Sequence, residues 1–247
     1  MAAFLELKDI CKNLPIGREP VQVLKNISFE VAAGELVCII GKSGCGKTTL
    51  LKTIAGLEKQ TSGQILLSGQ ALNGPGRDRG MIFQEPRLFP WLTLEDNIAF
   101  GLKGHVSKAA RHKTVTGLLE IVGLKDYAKA WPGQLSGGMA QRAAIARALA
   151  VDPKILLLDE PFAALDALTR SKLQKDFLDL WQNTLKTCIH VTHDLDEALT
   201  LGQRIIILHS NPGRIVDIIS LPLPYPRSPE DPELKSVKKR LLSLFVD

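Results

Sequence analysis

Apolar residues along the chain fall into two rhythms. The unbroken run Leu36-Val37-Cys38-Ile39-Ile40 is short and lacks polar interruption, as in a strand buried on both faces. Ile155-Leu156-Leu157-Leu158 repeats that pattern within a strand over 154–160. Residues 4–9 and 21–31 also read as strands, joined by an irregular Pro- and Gly-containing connection from Asn13 to Pro20. A helix over 47–56 opens on a glycine-rich loop, and strands at 64–69 and 79–84 flank a further Gly/Pro-rich loop. From Thr93 the spacing becomes helical, over 93–101, 107–122 and 137–150. A helix (166–183), a strand (187–192), a helix (194–201) and strands at 204–209 and 213–219 complete the pattern.

Strands alternating with helices predict an α/β fold with a largely parallel sheet. The helical run divides it into a core of 1–89 and 153–222, an insert at 90–152 and a tail at 223–247. That tail leaves no room for a C-terminal regulatory domain, and residues 233–245 read as a short amphipathic helix that packs on the domain. Internal repeats and low-complexity tracts are absent.

Composition changes this picture little. The 247 residues are 45% hydrophobic and 23% charged, which is ordinary for a globular protein. A net charge of +5 selects no partner by itself, and 5% aromatic residues leave few stacking platforms for single-stranded nucleic acid. Cys11, Cys38, Cys45 and Cys188 form no Cys-x-x-Cys pair, so neither a zinc site nor a disulfide scaffold is expected. No secretory signal and no run near the roughly 20 apolar residues of a membrane helix is visible.

The chemistry lies in the loop "GKSGCGKTT". Gly41, Lys42, Ser43, Gly44, Cys45, Gly46, Lys47, Thr48 and Thr49 stand between a strand and a helix, the context a phosphate loop requires. Glycine lets backbone N–H groups converge, and the helix start adds its positive end. Lys47 supplies a point charge for the β and γ phosphates, and the Thr48 hydroxyl suits Mg²⁺. Asp159, at the end of a buried strand, would hold Mg²⁺ through water, and Glu160 beside it would act as general base. A second anion site is expected at "LSGGM", where Leu135, Ser136, Gly137, Gly138 and Met139 open another helix. One nucleotide does not need two such sites in one chain, which points to a second copy.

Taken together these motifs resemble the ATP-binding subunits of ABC transporters, over about residues 4–220. The fold implied is a P-loop NTPase (RecA-like) core with an N-terminal antiparallel β part and an inserted helical subdomain. Two copies, or a pair with a similar ATPase subunit, would pack head to tail, with ATP and Mg²⁺ between the loop of one and Ser136, Gly137 and Gly138 of the other. By the same resemblance Gln84 would reach Mg²⁺ and the attacking water, and His193, in "VTHD", would contact the γ-phosphate and hold Glu160. Asp166, in "ALD", would lie at the dimer seam. Residues 84–100, with the exposed-looking Phe89, Pro90 and Trp91, would meet a transmembrane permease. The stretch "GRDRGMIFQEPRLFPWLTLEDNIAFGL" is similar to the nitrate/sulfonate/taurine/bicarbonate importer group. That likeness implies uptake of a small anion or related solute, a periplasmic or lipid-anchored binding protein and a peripheral place on the cytoplasmic face of the membrane.

Two departures carry expectations of their own. Leu14 stands where most relatives have an adenine-stacking aromatic, which implies loose base selectivity. Cys45 lies within the phosphate loop, where alkylation is expected to block ATP binding. The alternative is a non-transport ABC ATPase, either a cluster-assembly factor or a nucleic-acid-related one. The short insert without sustained heptads argues against a nucleic-acid-maintenance ATPase with a long coiled coil, and no nucleic-acid partner is expected.

Overall fold

The computed structural model describes residues 3–16, 19–228 and 230–244. From the N-terminus the chain runs β1 (Leu5–Ile16), β2 (Glu19–Val31), β3 (Leu36–Gly41), α1 (Lys47–Ala55), β4 (Ser62–Leu67), β5 (Gln70–Ala71) and β6 (Arg79–Ile82). Then come α2 (Leu94–Ala99), α3 (Lys108–Ile121), α4 (Gly137–Ala150), β7 (Ile155–Asp159) and α5 (Ala167–Thr184). β8 (Thr187–Thr192), α6 (Leu195–Leu201), β9 (Arg204–His209), β10 (Arg214–Ser220) and α7 (Pro232–Leu244) complete it. Two compact units result: Met1–Gly76 with Lys186–Asp247, and Arg77–Leu185.

The first unit holds an antiparallel sheet in the order β2-β1-β4-β5 and, in a second sheet, the neighbours β10-β9-β3-β8. β3 runs parallel to both β8 and β9, and its five apolar residues Leu36 to Ile40 are fully buried. That burial explains the unbroken apolar run, since neither face of the strand meets water. Leu50, Leu51 and Ile54 seat α1 in this core.

Where an irregular connection was expected from Asn13 to Pro20, the two strands instead continue as a hairpin. Pairing runs through Asn13↔Gln22, Leu14↔Val21 and Pro15↔Pro20 to Ile16↔Glu19, while residues 17 and 18 lie outside the described residues. Among the described residues β1 pairs with β4 no farther than Cys11↔Ser62, so beyond that point the β1 edge of the hairpin is not paired by β4. Prolines lack an N–H, and such an open edge is where a sheet tolerates them.

In the second unit β6 and β7 pair in parallel from Arg79↔Ile155 to Ile82↔Leu158. Its helices enclose a separate core built on Leu94, Ile98, Leu119, Leu124, Ala143 and Ala146. Alanines on α4 suit both helix propensity and close approach of neighbouring helices.

α7 docks on the first unit, as its pattern predicted. Leu234 and Leu241 are fully buried, and Lys238 Nζ donates to the carboxylate of Asp196 on α6 at 2.6 and 2.8 Å. Phe245, the end of that predicted segment, lies outside the described residues.

Candidate nucleotide site

The phosphate loop joins β3 to α1. Gly46 caps α1 with φ 97° and brings no side chain to the helix start, and no acid stands in the first turn. The positive end of α1 is therefore not offset from within the helix. Only glycine adopts that φ without strain, and a Cβ on Gly46 would also lie 2.7 Å from Leu24 Cδ2. At Gly41 the requirement is space: a Cβ there would meet Cys45 Sγ at 2.5 Å and the Leu208 carbonyl at 2.6 Å. Lys47 is buried, and its Nζ donates to the carbonyls of Gly41 (2.7 Å) and Lys42 (3.2 Å). The loop's own carbonyls thus fix the position of the ammonium. Lys42, Ser43, Gly44 and Thr48 are exposed and Thr49 is half-buried, so hydroxyl and amide groups line the outer side.

Cys45 lies inside the loop's packing. Its side chain is only 1% exposed, packed under Gly41, so the thiol is not presented to reagents. Burial in the loop's own packing, rather than a reactive position on its rim, explains a cysteine at this place.

β8 lies beside β3 in register, with Ile40 opposite Thr192, so the strand ends leading to the loop and to His193 are neighbours. His193 itself is exposed. Leu14 is half-buried on β1, opposite Val21.

The second unit carries the acidic groups. β7 delivers Asp159, 8% exposed, at its final position. Glu160 follows with φ 47°, a left-handed conformation disfavoured for a side chain of this kind. Strain of that sort persists where the surroundings impose it, and it sharply redirects the chain after Asp159. Gln84 lies two residues beyond β6 and is exposed. The buried Gln141 of α4 holds the adjacent Phe83, donating from Nε2 to its carbonyl at 3.2 Å.

Ser136 is the N-cap of α4, its Oγ accepting from Met139 N at 3.3 Å, and Leu135 and Met139 pack against the helical core. Gly137 is exposed. Gly138 is buried, and a Cβ there would lie 2.8 Å from Thr169 Cγ2, so this glycine also serves helix packing against α5. Asp166 caps α5 by accepting from Thr169 N at 3.0 Å, and that hydrogen bond holds its carboxyl below the usual range.

A family model for ABC transporters matches residues 24–163, more than half of the chain. The chain belongs to the ABC transporter family. It is 49% identical over 223 residues to the aliphatic sulfonates import ATP-binding protein SsuB of Bacillus subtilis, covering 90% of this chain and 87% of that one. It is 45% identical over 249 residues to the uncharacterized ABC transporter ATP-binding protein MJ0412 of Methanocaldococcus jannaschii, covering 100% of this chain and 93% of that one. Among solved structures it resembles the dimeric post-hydrolysis state of the ATP-binding cassette MJ0796 bound to ADP and Pi, at TM-score 0.77 and 35% identity over 88% of this chain and 98% of that one. It likewise resembles cbiO1 of Clostridium perfringens, part of the transporter complex cbiONQ, at TM-score 0.81 and 25% identity over 99% of this chain and 98% of that one. The fold is that of an ABC ATPase cassette, and the protein is an ATPase.

In this cassette the segment after Gln84 presents aromatic surface. Trp91 is 68% exposed and Phe100 49%, and both rings pack on Phe89, with centroids 5.5 and 4.6 Å away. Arg147 of α4 donates from Nη1 to the Arg87 carbonyl (2.7 Å) and from Nη2 to the Pro86 carbonyl (3.0 Å), and it stacks over Phe89. Asn97, fully buried, holds the turn from below. Sequence reasoning missed Arg147, Asn97 and Gln141, because a polar residue inside a helical repeat reads as a solvated position. The signal was there: each interrupts an otherwise apolar or small face of its helix.

Proposed function

We propose that this chain is the ATP-hydrolysing subunit of an importer for sulfonates or similar small anions, acting at the cytoplasmic face of the membrane beneath a separate permease. The observation that carries the reading is its 49% identity, over 90% of its length, to an aliphatic sulfonates import ATP-binding protein. That likeness favours import over the cluster-assembly and nucleic-acid alternatives. Among the described residues no helix is long and apolar enough to cross a membrane.

In this reading the loop from Gly41 to Thr49 takes the phosphates, and the exposed hydroxyl of Thr48 offers Mg²⁺ the hard oxygen ligand it prefers. Gln84 and Asp159 are its remaining protein partners. Bound Mg²⁺ would neutralise charge developing between the β and γ phosphates. Glu160 takes the proton of the attacking water, and His193 holds Glu160 and the γ-phosphate. Ser136, Gly137 and Gly138 serve the ATP of a second copy, which the dimeric cassettes it resembles support, and Asp166 lies at the seam. Leu14 contacts the base without stacking, which loosens selection between ATP and GTP. Residues 84–100 meet the permease, and the helical subdomain at 90–152 carries that contact to the 1–89 and 153–222 core. A solute-binding protein completes the system from outside.

Deleting the gene tests the solute. The deletion strain should lose growth on alkanesulfonates as sole sulfur source and regain it from a plasmid copy. Unimpaired growth would overturn the sulfonate assignment.

A further inference from the structure

β8 is buried along its whole length, with threonines at its two ends and a histidine near its centre. His190 is fully buried there, and Glu197, on α6, is 5% exposed. The two are joined: His190 Nε2 contacts Glu197 Oε1. On the neighbouring strand Cys38 stands opposite His190, and its thiol is pushed up first by burial and then by the Glu197 carboxylate.

Between these partners the chain makes a short turn at His193, closed by further links. Asp194 N donates to Thr192 Oγ1 at 3.0 Å, and Asp194 Oδ1 accepts from Asp196 N (2.9 Å) and Glu197 N (3.1 Å). At the far end of α6, Arg227 Nη1 donates to the carbonyl of Leu199 at 3.1 Å and to that of Gly202. His193 is the exposed crest of a loop whose two legs are fastened together underneath.

Such a fastening is a poor device for stability alone. A buried ionic or strongly polar pair loses hydration, and apolar residues of similar volume usually serve at least as well. What a directional pair adds is a fixed geometry between the strand and the helix. We infer that His190 and Glu197 are positioning residues for His193, setting the height and angle at which its imidazole meets the γ-phosphate. This rests on the role given to His193 above. Misplacing a catalytic group by about 1 Å costs up to about a hundredfold in rate.

The test uses the whole chain and steady-state ATP hydrolysis, with melting followed in parallel. The double variant His190→Leu/Glu197→Met replaces the pair by packed apolar groups. It should keep its melting temperature and its KM for ATP, while kcat falls about tenfold or more. Glu197→Gln, which retains a hydrogen-bonding partner for His190, should recover most of the rate lost by the double variant. His193→Ala serves as the reference and should be slow. If His193→Ala is slow and the double variant turns over normally, the positioning role is overturned and the proposed site stands. If His193→Ala itself turns over normally, the role of His193 in the proposed site falls, and with it the inference. A kcat loss that merely tracks a loss of stability in all variants would also overturn it.

Discussion

Asn97 and Phe89 exchange two hydrogen bonds across the aromatic turn: Phe89 N donates to Asn97 Oδ1 at 2.8 Å, and Asn97 Nδ2 donates to the Phe89 carbonyl at 3.2 Å. The same amide also donates to the Leu92 carbonyl at 3.1 Å. A fully buried side chain thus shapes a surface loop from beneath, and Trp91 rides on that loop in solvent. Scaffold and contact residue are separable. Replacing Asn97 with Leu leaves buried backbone groups without partners and should cost about 1–3 kcal/mol in denaturant unfolding. Trp91→Ala should change stability by less than about 0.5 kcal/mol, as for an exposed side chain, yet weaken permease binding while ATP binding persists. Loss of ATP binding along with permease binding would count against the separation.

Glu160→Gln removes the carboxylate proposed as general base and leaves the phosphate loop intact. Hydrolysis should fall by about a hundredfold or more, and the ATP-bound pair should persist long enough to be seen by light scattering. A variant that hydrolyses at the ordinary rate would remove Glu160 from its role.

Thiol chemistry gives a local test of the loop. Cys38, Cys45 and Cys188 are buried, and burial pushes the Cys38 and Cys188 thiols up, so the reactive thiolate is scarce in the folded state. Cys11 is half-buried. With iodoacetamide and peptide mass spectrometry, Cys11 should be modified first and Cys45 only slowly. Rapid Cys45 labelling, slowed by ATP, would contradict the burial of this thiol in the loop.

Asp166 should make stability depend on pH. Its folded carboxyl lies below the usual range because it accepts from Thr169 N. Its contribution is therefore present above the ordinary carboxylate range and is lost as pH falls through the lowered value. Asp166→Asn can still cap the helix but cannot titrate. The stability difference between the wild type and this variant at pH 7 should shrink at about pH 3, measured by urea unfolding. A difference that stays constant with pH would contradict the cap.

How far such residues were legible in the sequence depended on the kind of constraint. The loop from Gly41 to Thr48 was readable because glycine spacing, strand and helix are all local. Buried β3 was readable because an apolar run has few other uses. The hairpin through Pro15 and Pro20 was not, since tolerance of two prolines depends on how far β4 extends, which is a non-local fact. The burial of Cys45 was not legible for the same reason: being in a phosphate loop does not say that its thiol packs under Gly41. The packing constraint on Gly138, the approach of Thr169, was not legible because it exists only after α4 and α5 have packed.

The central claim is that ATP turnover in this chain drives a separate permease. Purifying the tagged chain from gently solubilised membranes of its own host, beside the Trp91→Ala variant, tests it most directly. The account predicts a multi-span permease with the wild-type chain and much less of it with the variant. Recovery of the chain with soluble cluster-assembly proteins or ribosomes, and without any permease, would contradict it.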